Sequence, residues 1–162
     1  MAKSARAVLG FGLLVAALTI VADQATKYLV LTSPQLEVGE RIAVTSFFDL
    51  VLAMNKGISY GLFPQHTEMG RWLLVMVNLA AAGLFIFWLS RAGDRFLAAA
   101  IGFLIGGAVG NAIDRVLYGA VVDFVLLHWG EWRWYVFNVA DAAVVAGVIG
   151  LLYDALMSRA TK

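Results

Sequence analysis

Residues 96–113, FLAAAIGFLIGGAVGNAI, run 18 positions without a charged side chain, and three further stretches of the chain are built the same way. Such runs admit few folds. An α-helix rises 1.5 Å per residue, so about 20 apolar residues cross a hydrocarbon core of roughly 30 Å with every backbone group bonded internally. The predicted spans are 7–28, 71–90, 96–113 and 134–154. The first continues as helix through Asp23 and Lys27, and the fourth, from Trp134 to Tyr153, is interrupted only by Asp141. Composition agrees: 62% of the residues are hydrophobic and 14% charged, against soluble norms of roughly 45–50% and 25%. A soluble core of this size has no room for the excess, which needs lipid. A single integral membrane domain over 1–162 is expected.

Orientation follows from the basic residues. With both termini cytoplasmic, the short inner segments hold Lys3, Arg6, Arg91, Arg95, Arg159 and Lys162. The much longer outer segments, 23–70 and 114–133, hold only Lys27, Arg41, Lys56, Arg115 and Arg133. The positive-inside bias favours this arrangement. It puts Trp72, Trp129, Trp132 and Trp134 near the outer interface and Trp88 near the inner one. Lys3 and Arg6 before an apolar run resemble a secretory signal. The run is longer than a signal core and leads into polar residues, so it reads as a retained first span.

Between the first two spans lies an outer loop, 29–70. Its segment RIAVTSFFDLVLAM, 41–54, mixes β-branched and aromatic residues, and NKGISYG, 55–61, adds two glycines. These predict short strands with a turn, a small sheet at the membrane surface. Gly102, Gly106 and Gly110 stand four apart on the third span, a small-residue stripe suited to close packing against another helix of the chain rather than to dimerisation.

Several function classes fall away. A net charge of +1 without a basic stripe gives nothing to counter phosphate, so nucleic acid is not an expected partner. The absence of cysteine removes disulfides, thiolate metal sites and cysteine nucleophiles. His66 and His128 have no ligand spacing such as H-E-x-x-H, so no metal site is expected. Ser46 and Ser59, with Lys56 nearby, leave a Ser-Lys dyad open, but no motif supports one.

The ionisable and amide groups are then the informative ones. Asp23 and Lys27, at i and i+4, share a helix face and read as an ion pair, one able to brace a site without doing chemistry. Asn55 and Gly57 suit a turn, or an amide that grips a peptide backbone. Asn111 sits among glycines and alanines, with Asp114 and Arg115 just after it. Neighbours on a helix point apart, so these two serve different partners. Arg115 could bind lipid phosphate or a substrate carbonyl, or simply reach for the interface. Asp123 lies between apolar residues, as in a half-buried strand or re-entrant segment. Asp141 falls seven residues beyond Trp134, roughly 10 Å deep if the helix starts there. A lone carboxylate at the bilayer centre costs on the order of 2.5–3.5 kcal/mol, so it needs a partner or a proton. If Asp123 and Asp141 meet, they cannot both ionise easily and share a proton, an arrangement suited to peptide hydrolysis. A spacing of 18 residues does not by itself bring them together.

DQATK at 23–27, NKGISYG at 55–61, GGAVGNAIDR at 106–115, GAVVDF at 119–124 and FNVADAA at 137–143 together resemble the lipoprotein signal peptidases, the type II signal peptidases of bacteria. Five motifs in the family's order, on four predicted spans, make the resemblance specific over most of the chain. It implies a mainly α membrane protein of four transmembrane helices. A small extracytoplasmic β-sheet would cradle the substrate between helices 1 and 2, and a short extracytoplasmic helix would lie over the site. It implies an aspartyl endopeptidase of the bacterial inner membrane, active near the periplasmic face, with no metal or organic cofactor. Its substrate would be a diacylglyceryl-modified prolipoprotein, cut before the lipidated cysteine, and its other partners membrane lipids; the protein would work as a monomer. Asp123 and Asp141 match the catalytic aspartates. Asn55, Gly57, Asn111, Arg115 and Asn138 match substrate-pocket positions, and Asp23, Lys27 and Asp114 match positions that support the pocket. The chain departs from the pattern at Tyr60, where Phe is commoner, and at Lys56. The rival reading is a small proton- or cation-coupled transporter component, but no internal duplication is seen and the acids cluster toward the outer ends of spans.

Overall fold

The four apolar runs fold as helices whose ends are set by capping side chains and by one left-handed glycine. The structure is a computed structural model that describes residues 2–57 and 67–160, with side chains described over 4–57 and 67–157. Ser59, Tyr60 and His66 therefore lie outside the described residues. In chain order the elements are α1 (Ala2–Leu31), β1 (Arg41–Ala43), β2 (Phe48–Asn55), α2 (Glu68–Leu89), α3 (Arg95–Tyr118), β3 (Val121–Trp129), β4 (Trp132–Arg133) and α4 (Val139–Ala160). All four helices are long and apolar enough to cross a membrane.

Thr67 caps α2 by accepting from the Gly70 N–H, and Asp94 caps α3 by accepting from the N–H groups of Phe96 and Leu97. The link between them, 90–94, is short, so α2 and α3 are antiparallel neighbours. At its other end α3 stops on Gly119, whose φ of 74° is the left-handed conformation that a side chain disfavours. Its N–H donates to the Arg115 carbonyl.

α3 is the central helix, packed against α1, α2 and α4. Its glycines permit this. A methyl group on Gly102 would stand 2.5 Å from the Gly12 carbonyl oxygen of α1, and one on Gly106 would stand 2.5 Å from Thr19 Cβ. A methyl on Gly107, on another face, would stand 2.5 Å from the Ala140 carbonyl oxygen of α4. The stripe serves packing within the chain, as its spacing predicts. Leu18, Val21, Leu73, Leu84, Ile149 and Leu152 point outward and exposed, the lipid-facing side of the bundle.

One antiparallel sheet, ordered β1-β2-β3-β4, closes one end of the bundle. The sheet expected between the first two spans is thus only half drawn from there; its other half comes from the segment between α3 and α4. The short extra helix implied by the resemblance is not among the described residues. β2 and β3 pair from Phe48↔Leu127 to Asn55↔Val121, with a register irregularity between Leu50 and Ala53 that leaves Asp123 opposite Ala53. Beyond the β3–β4 hairpin the chain returns along β3. Phe137 exchanges backbone hydrogen bonds with Val125 (2.8 and 3.0 Å), and α4 begins two residues later.

Span edges differ from expectation, and the two nearest the acids have identifiable causes. α3 continues past Ile113 to Tyr118, because Asp114 and Arg115 find partners inside the protein and need not leave the helix. α4 begins at Val139 instead of near Trp134, because 134–138 run extended along β3. Asp141 consequently lies in the first turn of α4, not 10 Å down a helix.

Candidate active site

The return of the chain at Phe137 brings the two distant acids together. It sets Asn138 beside β3, where its Nδ2 donates to Asp123 Oδ1 at 2.6 Å. Asn138 also caps α4. Its Oδ1 accepts from the Asp141 N–H at 2.9 Å, and the Asp141 carboxylate accepts from the Asn138 N–H at 3.4 Å. This reciprocal pair is the capping box, here built from Asn and Asp. One buried asparagine therefore touches both acids, and its own role as helix cap fixes where they stand.

Each acid has a second amide. Asn55, the last residue of β2, donates to Asp123 Oδ2 at 3.0 Å. Asn111 of α3 donates to Asp141 Oδ1 at 2.9 Å, while its own Oδ1 accepts from Asn138 at 3.2 Å. Asp123 is 2% exposed, fully enclosed rather than half-buried on its strand. Burial first, and the Asp141 charge second, push its carboxyl from 3.8 up to about 7, against the pull of the Asn55 and Asn138 hydrogen bonds and the Lys27 charge.

Beneath the acids lies a second buried cluster. Lys27 Nζ contacts Asp23 Oδ2 at 2.8 Å, Asp114 Oδ2 at 2.7 Å and Asn111 Oδ1 at 3.2 Å. Asp23 Oδ1 accepts from the Ala140 N–H in the first turn of α4, and Asp114 Oδ2 accepts from the Val122 N–H of β3. Gln24 links the two carboxylates, donating to Asp23 Oδ2 at 3.1 Å and Asp114 Oδ1 at 2.9 Å. α1, α3, β3 and α4 are thereby tied at one point directly behind the acids. Gly110 makes room for it, since a methyl there would stand 2.6 Å from Asp23 Oδ2.

Arg115 takes partners different from those of Asp114. Its Nη2 donates to the Gly57 carbonyl at 2.9 Å and its Nη1 to the Asn111 carbonyl at 3.2 Å. Gly57 is held from its other side, its N–H donating to Asn55 Oδ1 at 2.9 Å. The guanidinium thus secures the end of the first outer loop against α3.

Asn55, Asn111, Arg115, Asp123 and Asp141 open on one cavity of about 350 Å³. It continues away from the acids between α2 and α4, to Phe85, Leu104 and Val148. Gly57 and Asn138 stand behind its wall, and Asp23, Lys27 and Asp114 deeper still. The cavity is polar next to the acids and apolar below, where it runs among the helices.

Other residues weighed from sequence sit elsewhere. Ser46 precedes β2 and exposed Lys56 follows it, so a full strand separates them and they form no dyad. His128 lies on β3 near Asp49 (3.2 Å), away from the cavity. Two residues escaped the sequence reading. Gln24 sits inside the DQATK motif, and Asn78 is the one amide in the apolar run 72–90.

The family model described as signal peptidase II matches residues 15–157. A lipoprotein signal peptidase of Methylobacterium sp. (strain 4-46) is 55% identical over 92% of this chain and 90% of its own length. One from Methylocella silvestris is 50% identical over 91% and 86%. A solved structure described as a bacterial membrane enzyme superposes with a TM-score of 0.84 at 27% identity, covering 94% of this chain and 92% of its own.

Proposed function

Because this chain belongs to the signal peptidase II family, the aspartic peptidases that remove signal peptides from prolipoproteins, we propose that Asp123 and Asp141 are its catalytic pair. It is a multi-pass protein of the bacterial inner membrane and acts on its substrate there. The transporter reading has no support among these relatives.

The observation that carries the assignment is Asn138, which holds both carboxylates at the mouth of one cavity. Four carboxylates, Asp23, Asp114, Asp123 and Asp141, face only two cations, Lys27 and Arg115, and one added proton halves the excess of negative charge. Asp123 holds that proton near neutral pH. Asp141, in the first turn of α4 and accepting from Asn111, is the ionised partner, since a helix N-terminus favours negative charge.

The reaction then follows. Asp141 removes a proton from water as its oxygen attacks the scissile carbonyl carbon, and Asp123 gives its proton to the carbonyl oxygen. The resulting tetrahedral diol collapses. One hydroxyl returns its proton to Asp123, the C–N bond breaks, and the leaving amine takes the proton held by Asp141. No atom remains on the enzyme. Asn55, Gly57, Asn111, Arg115 and Asn138 shape the pocket, while Asp23, Lys27 and Asp114 support it from behind.

The substrate in this reading is a prolipoprotein bearing diacylglycerol, cut before the modified cysteine. Acyl chains in the bilayer fix the depth of the cleavage site, so binding energy from remote groups positions the reacting carbonyl. Lipid surrounds the bundle, and one copy supplies the whole site. The test is cleavage by purified protein, read by mass spectrometry with lipidated and unlipidated prolipoprotein. Wild type should cut only the lipidated form, and Asp123→Asn and Asp141→Asn, folded as judged by melting, should not. Cleavage surviving either substitution would remove that residue from the pair.

A further inference from the structure

Asn78 stands midway along α2, ten residues after its first residue and so about 15 Å along its axis. With Ala81 and Phe85, at i+3 and i+7, it forms the face of α2 that lines the cavity. Asp141, Val144 and Val148 line it from α4 with the same spacing. α3 packs against both helices and lies across the gap between them. Asn78 thus stands on the wall facing the acids, where the polar mouth gives way to the apolar floor.

The other amides lining this cavity are engaged within the protein. Asn55 bonds Asp123 and the Gly57 N–H, and Asn111 bonds Asp141, Lys27 and Asn138. Arg115 bonds two backbone carbonyls. Asn78 is half-buried and has no hydrogen-bond partner among the described residues. An amide inside a membrane span without a partner carries a standing cost, which a ligand able to satisfy it would remove.

The substrate brings a matching need. A peptide bond can reach Asp123 and Asp141 only where the signal segment is unwound, and unwinding frees N–H and C=O groups that have no water to turn to at this depth. A carboxamide offers one acceptor and one donor group on a short stem. We propose that Asn78 is a positioning residue that hydrogen-bonds the unwound backbone of the signal segment just ahead of the scissile bond. This rests on the peptidase reading above. Asn78 holds the segment from α2 while the acids work from the opposite wall, and it favours substrates that unwind at that level.

The test is a double-mutant cycle between enzyme and substrate. Lipidated prolipoproteins are made with single backbone amides before the cleavage site replaced in turn by esters, each removing one N–H and weakening one carbonyl. Wild type, Asn78→Leu and Asn78→Ala are compared in detergent, with melting temperature as the check on folding. On the all-amide substrate both variants should lose about tenfold in kcat/KM, the size of one well-placed hydrogen bond. At one ester position wild type should lose a comparable factor while the variants lose almost nothing further, which altered packing alone would not produce. Equal ester penalties in wild type and variants at every position would overturn the proposal, as would unchanged kcat/KM in both variants. Absence of cleavage by folded wild type would instead overturn the peptidase reading, and this proposal with it.

Discussion

Asp123 has a double dependence on pH. Its carboxyl is raised from 3.8 to about 7 by burial and by Asp141, so the protonated form is the one the fold prefers. Its contribution to stability is complete below about pH 3.8 and is lost as pH rises through 7. The proposed reaction needs the same proton. The expected kcat/KM profile therefore falls above about pH 7, about tenfold per unit once the proton is gone. The melting temperature of Asp123→Asn, which cannot ionise there, should drop less than that of wild type between pH 5 and 8. A rate that keeps rising to pH 9 would take the proton away from Asp123. The sequence made the acids visible, since an aspartate amid apolar residues is expensive unless it is used. It did not show what holds them. The capping box of Asn138 and Asp141 spans four residues of FNVADAA and is recognisable only once the helix start is known. Asn78 was hidden by the composition of its run, where one amide among apolar residues barely alters the hydropathy.

Among the elements, α3 and α4 meet closely enough that one methyl group decides their spacing. Alanine at Gly107 would meet the Ala140 carbonyl oxygen and Val144 Cγ2 at 2.5 and 2.6 Å, and the first of these is backbone, which cannot turn aside. α4 would have to move outward, taking Asp141 away from Asn111. Gly107→Ala should cost about 1–3 kcal/mol in stability, as overpacking does, and should lower kcat/KM by more than its loss of folded protein explains. The same substitution at Gly83, where a methyl meets nothing, should change neither. Melting curves and rates on both variants decide it; equal behaviour would show that the α3–α4 approach tolerates slack. The helices themselves were legible, because nothing but a span accommodates runs of this length. Their ends were not. Residues 134–138 are as apolar as a helix interior yet run extended, held by hydrogen bonds to a strand 12 residues earlier. Asp114 and Arg115 look like the end of a span yet lie inside a helix, since their partners come from α1, β3 and Gly57. Long-range pairing overrode local composition in both cases.

For the molecule as a whole, the distribution of charge predicts which way the site faces. The sheet and both acids lie at one end of the bundle, and the α2–α3 link at 90–94 lies at the other. That link is flanked by Arg91 and Arg95, and the N-terminal segment carries Lys3 and Arg6. At the opposite end Lys27 is paired with Asp23 and Asp114, and Arg41 with Asp49. The unpaired positive charge is therefore even more lopsided than the sequence count, and we propose on that ground that the termini and the 90–94 link lie in the cytoplasm. In this proposal the site faces the periplasm, where a translocated prolipoprotein would present its cleavage site. Because the chain has no cysteine, single cysteines report this cleanly. Glu131→Cys, in the exposed β3–β4 turn, should react with a membrane-impermeant maleimide in intact spheroplasts, and Gly93→Cys should react only after lysis. The reverse pattern would place the acids on the cytoplasmic side, out of reach of a substrate whose lipid anchor and mature domain lie across the membrane, and the two-sided argument from charge would fail with it.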